Sequence, residues 1–366
     1  MYQVPLPPEY TDLSPEEART RIHAAKAALG DRLVILGHHY QRDEIIEHAD
    51  FRGDSYKLAK DAAARPDADF IVFCGVHFMA ESADILTPDH QKVILPNLAA
   101  GCSMADMANL FQVRNAWKAL TQDACIAPEA IIPVTYINSA ANLKAFVGER
   151  GGTVCTSTNA PTAVRWALEQ GQKVLFFPDQ HLGRNTGVKL GFDPEKDMVV
   201  WDPFKPLGGN TIEDLQRATF ILWKGHCSVH GRFTVEQIEA ARAELPGVNV
   251  LVHPECPLEV VQASDFNGST EYIIKAVEAA EPGSSWAIGT EINLVNRLAK
   301  EHPDKTVVCL DPQICPCSTM YRIHPSFLLW ALEELVAGRV VNQVEVPPKV
   351  KHFALLSLQR MLTVCA

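Results

Sequence analysis

The sequence has little positive charge and no long apolar segment. Its 33 Lys and Arg residues stand against 44 Asp and Glu residues, which gives a formal net charge of −11. Nucleic acids and anionic membranes bind basic surfaces, so this balance argues against both as partners. No stretch of about 18 consecutive apolar residues occurs, and the first residues lack a basic segment followed by an apolar one. These absences predict a cytoplasmic protein that spans no membrane.

The ten cysteines lack the C-x-x-C pairs that are typical of a zinc ribbon. In a reducing cytosol we do not expect them to form a disulfide framework. Free cysteine is among the most buried residue types, so the default interpretation of each one is a core residue. Cys102 in AGCSMAD and Cys227 in WKGHCSVH fit that interpretation poorly, because both lie in polar segments rather than in an apolar run such as the one around Cys74.

The apolar residues occur in short runs that alternate with helical patterns. Runs such as RLVILGHH, ADFIVFCG and VNVLVHPE are rich in Val and Ile, as expected of parallel strands that are buried on both faces. Intervening segments such as DSYKLAKDAAA and STEYIIKAVEAA have the pattern of crossover helices, with N-cap residues at their starts. The 366 residues and 47% hydrophobic content are enough for several cores. The pattern predicts an α/β fold with two or three domains.

An internal repeat appears when the strand ends are aligned. In two copies, 17 residues separate a strand-end histidine from a hydroxyl at a helix start, and 64 residues separate the same histidine from a cysteine. Two matching spacings are hard to attribute to chance, and they indicate repeated units. The residues are His38, Ser55 and Cys102 in the first copy, and His253, Thr270 and Cys317 in the last.

A middle copy fits the same pattern with a longer spacing. Tyr136 follows a strand, Ser157 precedes a helix, and Cys227 comes 91 residues after Tyr136. An insertion at about 192–214, rich in Pro, Gly and Asp, would account for the extra length. We therefore expect three homologous three-layer αβα domains around a pseudo-threefold axis. Their predicted bounds are 1–106, 107–230 and 231–320, and the C-terminal segment 321–366 is expected to pack back on the first domain.

Three converging domains would form one central site. Ligands of open α/β sheets bind outside the carboxyl ends of the strands, where the three strand-end residues are expected. Three thiolates that are far apart in sequence suit zinc, copper(I) or an iron-sulfur cluster, and three ligands would leave one iron of a 4Fe-4S cluster free to act as a Lewis acid. Hydroxyls at helix starts suit bound carboxylate or phosphate, although N-capping is their ordinary role. His253 and Glu255 add candidate acid and base groups.

The same residues lie in segments that resemble the successive signatures of the quinolinate synthase family. The segments occur in the family's order between positions 37 and 320. They are GHHYQRDEI, GDSYKLA, GVHFMAESA, AGCSMAD, VTYINS, TSTNA, PDQHLGRN, WKGHCSVH, HPEC, GST, GTE and, at Cys317, CSTM.

The resemblance implies a transferase of de novo NAD biosynthesis. Such an enzyme condenses iminoaspartate with dihydroxyacetone phosphate to give quinolinate, phosphate and two waters, and it is expected to couple functionally to L-aspartate oxidase. Cys102, Cys227 and Cys317 would hold one 4Fe-4S cluster. The residues implied to bind substrate are His38, Ser55, Tyr136, Ile137, Asn138, Ser157, His253, Pro254, Glu255 and Thr270. The residues implied to be catalytic are His38, Tyr40, Tyr136, His253 and Glu255, with His230 nearby.

One departure from the family pattern concerns the third cysteine. Many members carry C-x-x-C-x-x-C at this point, whereas this chain has Cys315-Pro316-Cys317. Cys317 is the predicted ligand because it completes the 64-residue spacing and is followed by the Ser-Thr-Met of the family pattern. A thiol-disulfide switch of the longer motif cannot be transferred to this chain.

Two alternatives remain at this stage. One is another three-cysteine, pseudo-threefold iron-sulfur enzyme, such as the diphthamide-forming radical enzyme or hydroxymethylbutenyl diphosphate reductase. VTYIN and HPE at the strand ends favour quinolinate synthase over both. The other is a non-catalytic iron-sulfur sensor, whose usual partner DNA would favour a basic domain that this sequence lacks.

Overall fold

The computed structural model describes residues 3–311, 313 and 316–365. Cys315 lies outside the described residues. The strands are β1 Leu33–His38, β2 Phe51–Gly53, β3 Phe70–Cys74, β4 Lys92–Ile94, β5 Ile131–Tyr136, β6 Thr153–Cys155, β7 Lys173–Phe177, β8 Met198–Trp201, β9 Phe220–Trp223, β10 Asn249–Val252, β11 Phe266–Asn267, β12 Ser285–Gly289, β13 Thr306–Cys309 and β14 Gln343–Val344.

The helices alternate with these strands along most of the chain. They are α1 Pro15–Leu29, α2 Asp43–Ile46, α3 Ser55–Ala63, α4 His77–Leu86, α5 Ser103–Asp106, α6 Leu110–Lys118, α7 Ala141–Glu149, α8 Ala160–Gln170, α9 Gln180–Lys189, α10 Ile212–Arg217, α11 Val235–Glu244, α12 Leu258–Ala263, α13 Thr270–Ala279, α14 Ile292–Glu301, α15 Pro325–Val336 and α16 Pro348–Val364.

The strands form three sheets that share one strand order. The first sheet has the order β14-β4-β3-β1-β2, the second β6-β5-β7-β9-β8 and the third β11-β10-β12-β13. Each repeat contributes four strands, and they lie in the order β2-β1-β3-β4 in the first sheet, β6-β5-β7-β9 in the second and β11-β10-β12-β13 in the third. Neighbouring strands of these sets pair in parallel. The fold class is therefore α/β with three repeated sheets flanked by helices, as the sequence repeat predicts. β14 is antiparallel to β4 and extends only the first sheet.

The register repeats as well as the strand order. In each sheet the last residue of the first strand of the repeat pairs with the last residue of the second strand: His38 with Gly53, Tyr136 with Cys155 and Val252 with Asn267. β1 and β5 are buried along their whole length. Because parallel strands end at one edge, the residues at or just after the end of β1, β5 and β10 lie at the carboxyl edge of each sheet.

The chain divides into two compact units. The first comprises Met1–Cys102, Glu291–Arg297 and Ile314–Pro347 and contains the first sheet. The second comprises Ser103–Thr290, Leu298–Gln313 and Pro348–Ala366 and contains the second and third sheets. The boundaries between three individual domains stay a prediction.

The C-terminal segment is shared between the two units. α15 packs on α1 in the first unit, as expected for this segment, but α16 packs on α7 and β6 in the second. The expectation that all of 321–366 packs on the first domain is therefore wrong for α16. Gly148 of α7 explains the close approach, because a Cβ atom there would come within 2.0 Å of the Phe353 carbonyl oxygen. Ser357 Oγ also donates to the carbonyl of Lys144 at 2.9 Å.

The predicted insertion is an ordered extension of the second sheet. It supplies β8, which pairs in parallel with β9 and forms the edge of that sheet. Trp201 at the end of β8 is buried against Gly208, whose φ of 66° and lack of a Cβ let the chain turn under the indole ring. Asn210 Nδ2 donates to the carbonyls of Val200 and Leu207 at 2.9 and 3.2 Å, which closes the loop.

No helix in the part of the chain that the structure describes combines the length and the apolar character needed to cross a bilayer.

Candidate active site

Strand-end residues of the second and third sheets meet inside the second unit. Tyr136 ends β5, and His253 directly follows β10. Glu255 lies two residues further and accepts a hydrogen bond from Tyr136. All three residues are at most 5% exposed. The carboxyl edges of two repeats therefore supply one buried polar cluster, as expected from the alignment of Tyr136 with His253.

The HPEC segment forms a tight turn that aims Glu255. The Cys256 amide donates to the His253 carbonyl at 3.0 Å, with Pro254 at the second turn position, where its fixed φ suits a turn. The Glu255 amide donates to Nδ1 of His253 at 3.3 Å. An accepting Nδ1 requires the neutral imidazole with its proton on Nε2. Burial, followed by the nearby His230, lowers the pKa of His253 to about 3, in agreement with a neutral ring.

His230 is held between a carboxylate and a hydroxyl. Its Nδ1–H donates to Glu255 Oε2 at 2.7 Å, and Thr290 Oγ1 lies 3.1 Å from its Nε2. The ring also stacks on His253, with centroids 4.3 Å apart and planes inclined by 15°. His230 and Thr290 are 2% and 1% exposed. These contacts form a chain of hydrogen bonds from Thr290 through His230 and Glu255 to Tyr136.

The charge state of Glu255 follows from its partners. Burial raises the pKa of this carboxyl, but the electrostatic influence of His230 and His253 and the hydrogen bonds from His230 and Tyr136 outweigh burial and lower the pKa to about 2. Glu255 is therefore an ionised carboxylate at neutral pH, although it is 2% exposed. A buried carboxylate that is bound to an imidazole is a typical proton-transfer pair.

Asp179 is a second buried carboxyl in this cluster, and its pKa is raised rather than lowered. Its Oδ1 accepts from the amides of His181 and Leu182 at 2.7 and 2.9 Å and so caps α9. Burial and the charge of Glu255 raise its pKa well above the usual range. Neighbouring carboxyls whose environments separate their pKa values are a common basis for distinct acid and base roles.

The first unit presents a related arrangement at the end of β1. His38 is 4% exposed, and its Nδ1 accepts from the amide of Tyr40 at 3.1 Å. The two rings meet edge to face at 4.8 Å. Asn293 Nδ2 donates to the Tyr40 carbonyl at 3.3 Å and fixes the chain after the strand. A strand-end histidine that accepts the amide two residues later thus occurs in the first repeat as in the third.

The hydroxyl side chains of the repeat, Ser55, Ser157 and Thr270, do not cap the helices at whose starts they lie. Asp54 caps α3 through the amides of Tyr56 and Lys57, and Ser269 caps α13 through the amide of Tyr272. Before α8, Thr156 and Asn159 bond to each other's backbone amides. Capping therefore does not account for the predicted substrate residues Ser55, Ser157 and Thr270. Ser55 and Thr270 are nevertheless buried, at 6% and 5% exposure, and Ser157 is half-buried.

Three further predicted residues lie just after β5 or in the HPEC turn. Ile137 is buried, and its amide donates to the Cys155 carbonyl at 2.8 Å. Asn138, the next residue, is half-buried. Pro254, within the HPEC turn, is buried.

The predicted cluster ligands differ from the core cysteines. Cys102, Cys227 and Cys317 are each partly exposed. In contrast, Cys74 and Cys155 are fully buried, and burial raises the pKa of the Cys74 thiol to about 12. Thiolate is the ligand form of cysteine, so a fully buried thiol with a raised pKa is a poor ligand.

Two of the three predicted ligands have a defined local setting. In the first unit, the Cys317 amide donates to Glu291 Oε1 at 3.2 Å, and Sγ lies 3.3 Å from the Thr319 hydroxyl. In the second unit, Cys227, His230 and Glu255 offer ligand atoms that lie within 4.8 Å of one another. His230 and Glu255 already satisfy each other by a hydrogen bond at 2.7 Å, so these two residues need no metal ion to explain their positions.

The residues missed by the sequence prediction are polar groups that support the site. Thr290 and Glu291 lie in GTE, and Asp179 and Asn185 lie in PDQHLGRN. Both segments are among those that resemble signatures of a family, but the spacing of the segments along the chain assigns no role to the individual residues within them. The hydrogen bonds of these four side chains assign them to the surroundings of His230, Cys317, α9 and the HPEC turn.

Fold and site together define an α/β protein with repeated sheets, a buried acid-base cluster at the strand ends and partly exposed thiols. A family model described as "Quinolinate synthetase A protein" matches residues 20–363. The chain belongs to the quinolinate synthetase A family.

Similar proteins cover almost the whole chain. A quinolinate synthase of Corynebacterium glutamicum is 61% identical over 359 residues, which span 98% of this chain and 90% of the relative. One of Nocardioides sp. is 60% identical over 364 residues, 98% of this chain and 91% of the relative. One of Streptomyces coelicolor is 61% identical over 345 residues, 93% and 87% of the two chains.

Proposed function

We propose that the chain is a quinolinate synthase, a transferase that condenses iminoaspartate with dihydroxyacetone phosphate to quinolinate in de novo NAD biosynthesis. The observation that carries this proposal is the buried chain of Thr290, His230, Glu255 and Tyr136 at the strand ends of a member of this family. The reaction joins two small molecules and expels phosphate and two waters, so it requires repeated proton transfers in a site sheltered from bulk solvent.

Glu255 and His230 are the proposed proton-transfer pair. The carboxylate keeps a proton on Nδ1 of His230, which leaves Nε2 as the basic nitrogen, and Thr290 Oγ1 lies beside it at 3.1 Å. His253 is neutral and carries its proton on Nε2, so it is a hydrogen-bond donor to a substrate oxygen. Tyr136 donates to Glu255 in the structure and is proposed to orient substrate from the second repeat.

Substrate anions are proposed to bind at the helix starts. The chain carries a net charge of −11, so the negative groups of both substrates need local compensation. The amides at the starts of α3, α8 and α13 carry partial positive charge, and Ser55, Ser157 and Thr270 add hydroxyl donors there. His38 and Tyr40 are proposed to serve from the first repeat, and Ile137, Asn138 and Pro254 to line the site.

Three partly exposed cysteines fit an iron-sulfur cluster by the chemistry of their sulfur donors. Cys102, Cys227 and Cys317 would hold one 4Fe-4S cluster, and a cluster with three protein ligands supplies a Lewis-acidic iron for the loss of water. The Cys317 amide is already fixed by Glu291, an arrangement typical of the hydrogen bonds that orient metal ligands. L-Aspartate oxidase is the proposed functional partner, as the supplier of iminoaspartate.

The test is quinolinate formation by anaerobically purified protein. With both substrates present, the wild-type protein is expected to form quinolinate, while His253→Ala and Tyr136→Phe retain iron and lose about ten- to ten-thousandfold in rate. Iron and rate are measured on the same samples. Near-normal rates in both variants would remove His253 and Tyr136 from the mechanism, and absence of quinolinate with an iron-loaded wild-type protein would refute the proposed activity.

A further inference from the structure

Asn185 holds the HPEC turn from both sides of Glu255. Asn185 lies in α9 and is 8% exposed. Its Nδ2 amide donates to the Pro254 carbonyl at 2.9 Å and to the Cys256 carbonyl at 2.8 Å. A primary amide has two N–H donors, and here each one serves a residue adjacent to Glu255. The side chain therefore fixes the backbone immediately before and after the carboxylate.

The HPEC turn is tied to β12 at its start and to α9 through Asn185 on both sides of Glu255. The amides of Glu255 and Cys256 both bond within the turn, to His253 Nδ1 and to the His253 carbonyl. These two bonds set the shape of the turn, while the His253 amide donates to the Gly289 carbonyl at 3.1 Å and ties the start of the turn to β12. Asn185 joins it to α9, which packs on the second sheet and is capped by Asp179. Pro254 and Cys256 are buried, so water is poorly placed to replace the amide.

We propose that Asn185 is a positioning residue for the Glu255 carboxylate, an inference that rests on the proposed function. The 2.7 Å bond from His230 Nδ1 to Glu255 Oε2 lies in the range of charge-assisted hydrogen bonds. A shift of the turn by about 1 Å would take the pair out of that range and misplace the base. The hydrogen bonds of Asn185 run to backbone carbonyls of the turn, so Asn185 acts through the position of that backbone.

Asn210 is the matched control in the same unit. Its Nδ2 donates to the carbonyls of Val200, Leu207 and Gly208 at 2.9, 3.2 and 3.2 Å. Asn210 therefore also uses its amide to close a loop, but this loop belongs to the insertion at the edge strand β8. Asn210→Ala removes comparable bonds without touching the HPEC turn.

The experiment compares wild type, Asn185→Ala, Asn185→Ser and Asn210→Ala, all purified anaerobically with their iron. Asn185→Ala is expected to lower kcat about 10- to 100-fold, the range for residues that orient an active group, with KM within about threefold of wild type. Asn185→Ser keeps one donor, so its kcat should lie between those of wild type and Asn185→Ala. Asn210→Ala should lower Tm and leave kcat unchanged.

Two results would overturn the proposal. The first is that Asn185→Ala keeps a kcat within about twofold of wild type while its Tm falls as much as that of Asn210→Ala. A purely structural role would change stability alone. If Asn185→Ala does not fold, Asn185→Ser is judged by the same criterion. The other is a crystal structure of the Asn185 variant that retains the 2.7 Å contact between Glu255 and His230. Because this distance is measured without turnover, it tests the positioning role of Asn185 even if the wild-type protein forms no quinolinate.

Discussion

Replacing Glu255 by Gln keeps the shape of the side chain and removes its charge from the buried cluster. Glu255 and His230 are each 2% exposed, and a hydrogen bond to a charged group such as the Glu255 carboxylate contributes about 1.5–3 kcal/mol. The lowering of the Glu255 pKa from 4.5 to about 2 corresponds to about 3 kcal/mol of preference for the ionised form. Gln still accepts a hydrogen bond but lacks the charge, so we expect a loss of about 2–3 kcal/mol.

The pH dependence of this loss follows from the sign of the shift. The folded-state pKa lies below the unfolded one, so the stabilisation is complete above pH 4.5 and is lost as the pH falls from there toward 2. Wild type and Glu255→Gln should therefore differ by a constant free energy of unfolding between about pH 6 and 8. Quinolinate formation should fall about 10²- to 10⁴-fold in the same variant.

Guanidinium unfolding of anaerobically prepared protein at several pH values measures the difference. Glu47→Gln is the control, because Glu47 pairs with Arg19 at the surface, where the side chains are 30% and 59% exposed. Such exposed pairs are worth at most about 1 kcal/mol. A loss in Glu255→Gln as small as in the control would refute the strong hydrogen bonding of the buried carboxylate. A loss that shrinks as the pH falls from 8 to 6 would refute the lowered pKa.

Two further predictions concern Thr290 and the third cysteine. Thr290→Val removes the hydroxyl beside His230 Nε2 and should slow quinolinate formation about tenfold or more. Thr290→Ser keeps the hydroxyl, so its rate should stay within about threefold of wild type. If both variants are equally slow, the methyl group of Thr290 matters instead. Cys317→Ala should abolish stable cluster assembly and activity, while Cys315→Ala should retain most iron, sulfide and turnover after anaerobic reconstitution; the reverse pattern would mean that the repeat alignment is off by two residues.

The repeated architecture was predictable because it depends on local pattern. Short Val- and Ile-rich runs bounded by polar residues predict buried parallel strands, and the 64-residue spacing predicts that strand ends recur in equivalent places. The shared strand order of the three sheets confirms the repeat. Tyr136 and His253, matched by this alignment alone, lie in one cluster with Glu255.

Features that depend on distant contacts were not predictable in the same way. The docking of α16 on α7 requires the absence of a side chain at Gly148, and nothing near residue 148 in the sequence indicates what approaches it. Asn185 and Thr290 look like ordinary polar residues until the HPEC turn and His230 are placed beside them. Asp179 has an evident local role as a helix cap, and only its proximity to Glu255 gives it a raised pKa.

The bond from a backbone amide to the strand-end histidine has an evolutionary consequence. In both His38 and His253 the donor to Nδ1 is the main-chain N–H two residues later, not a side chain. The proton of each neutral ring is thereby kept on Nε2 whatever residue occupies the donor position. That position is free to diverge, and it holds Tyr40 in one repeat and Glu255 in the other. Duplicated domains could therefore acquire different chemical groups at equivalent places while inheriting the same histidine tautomer.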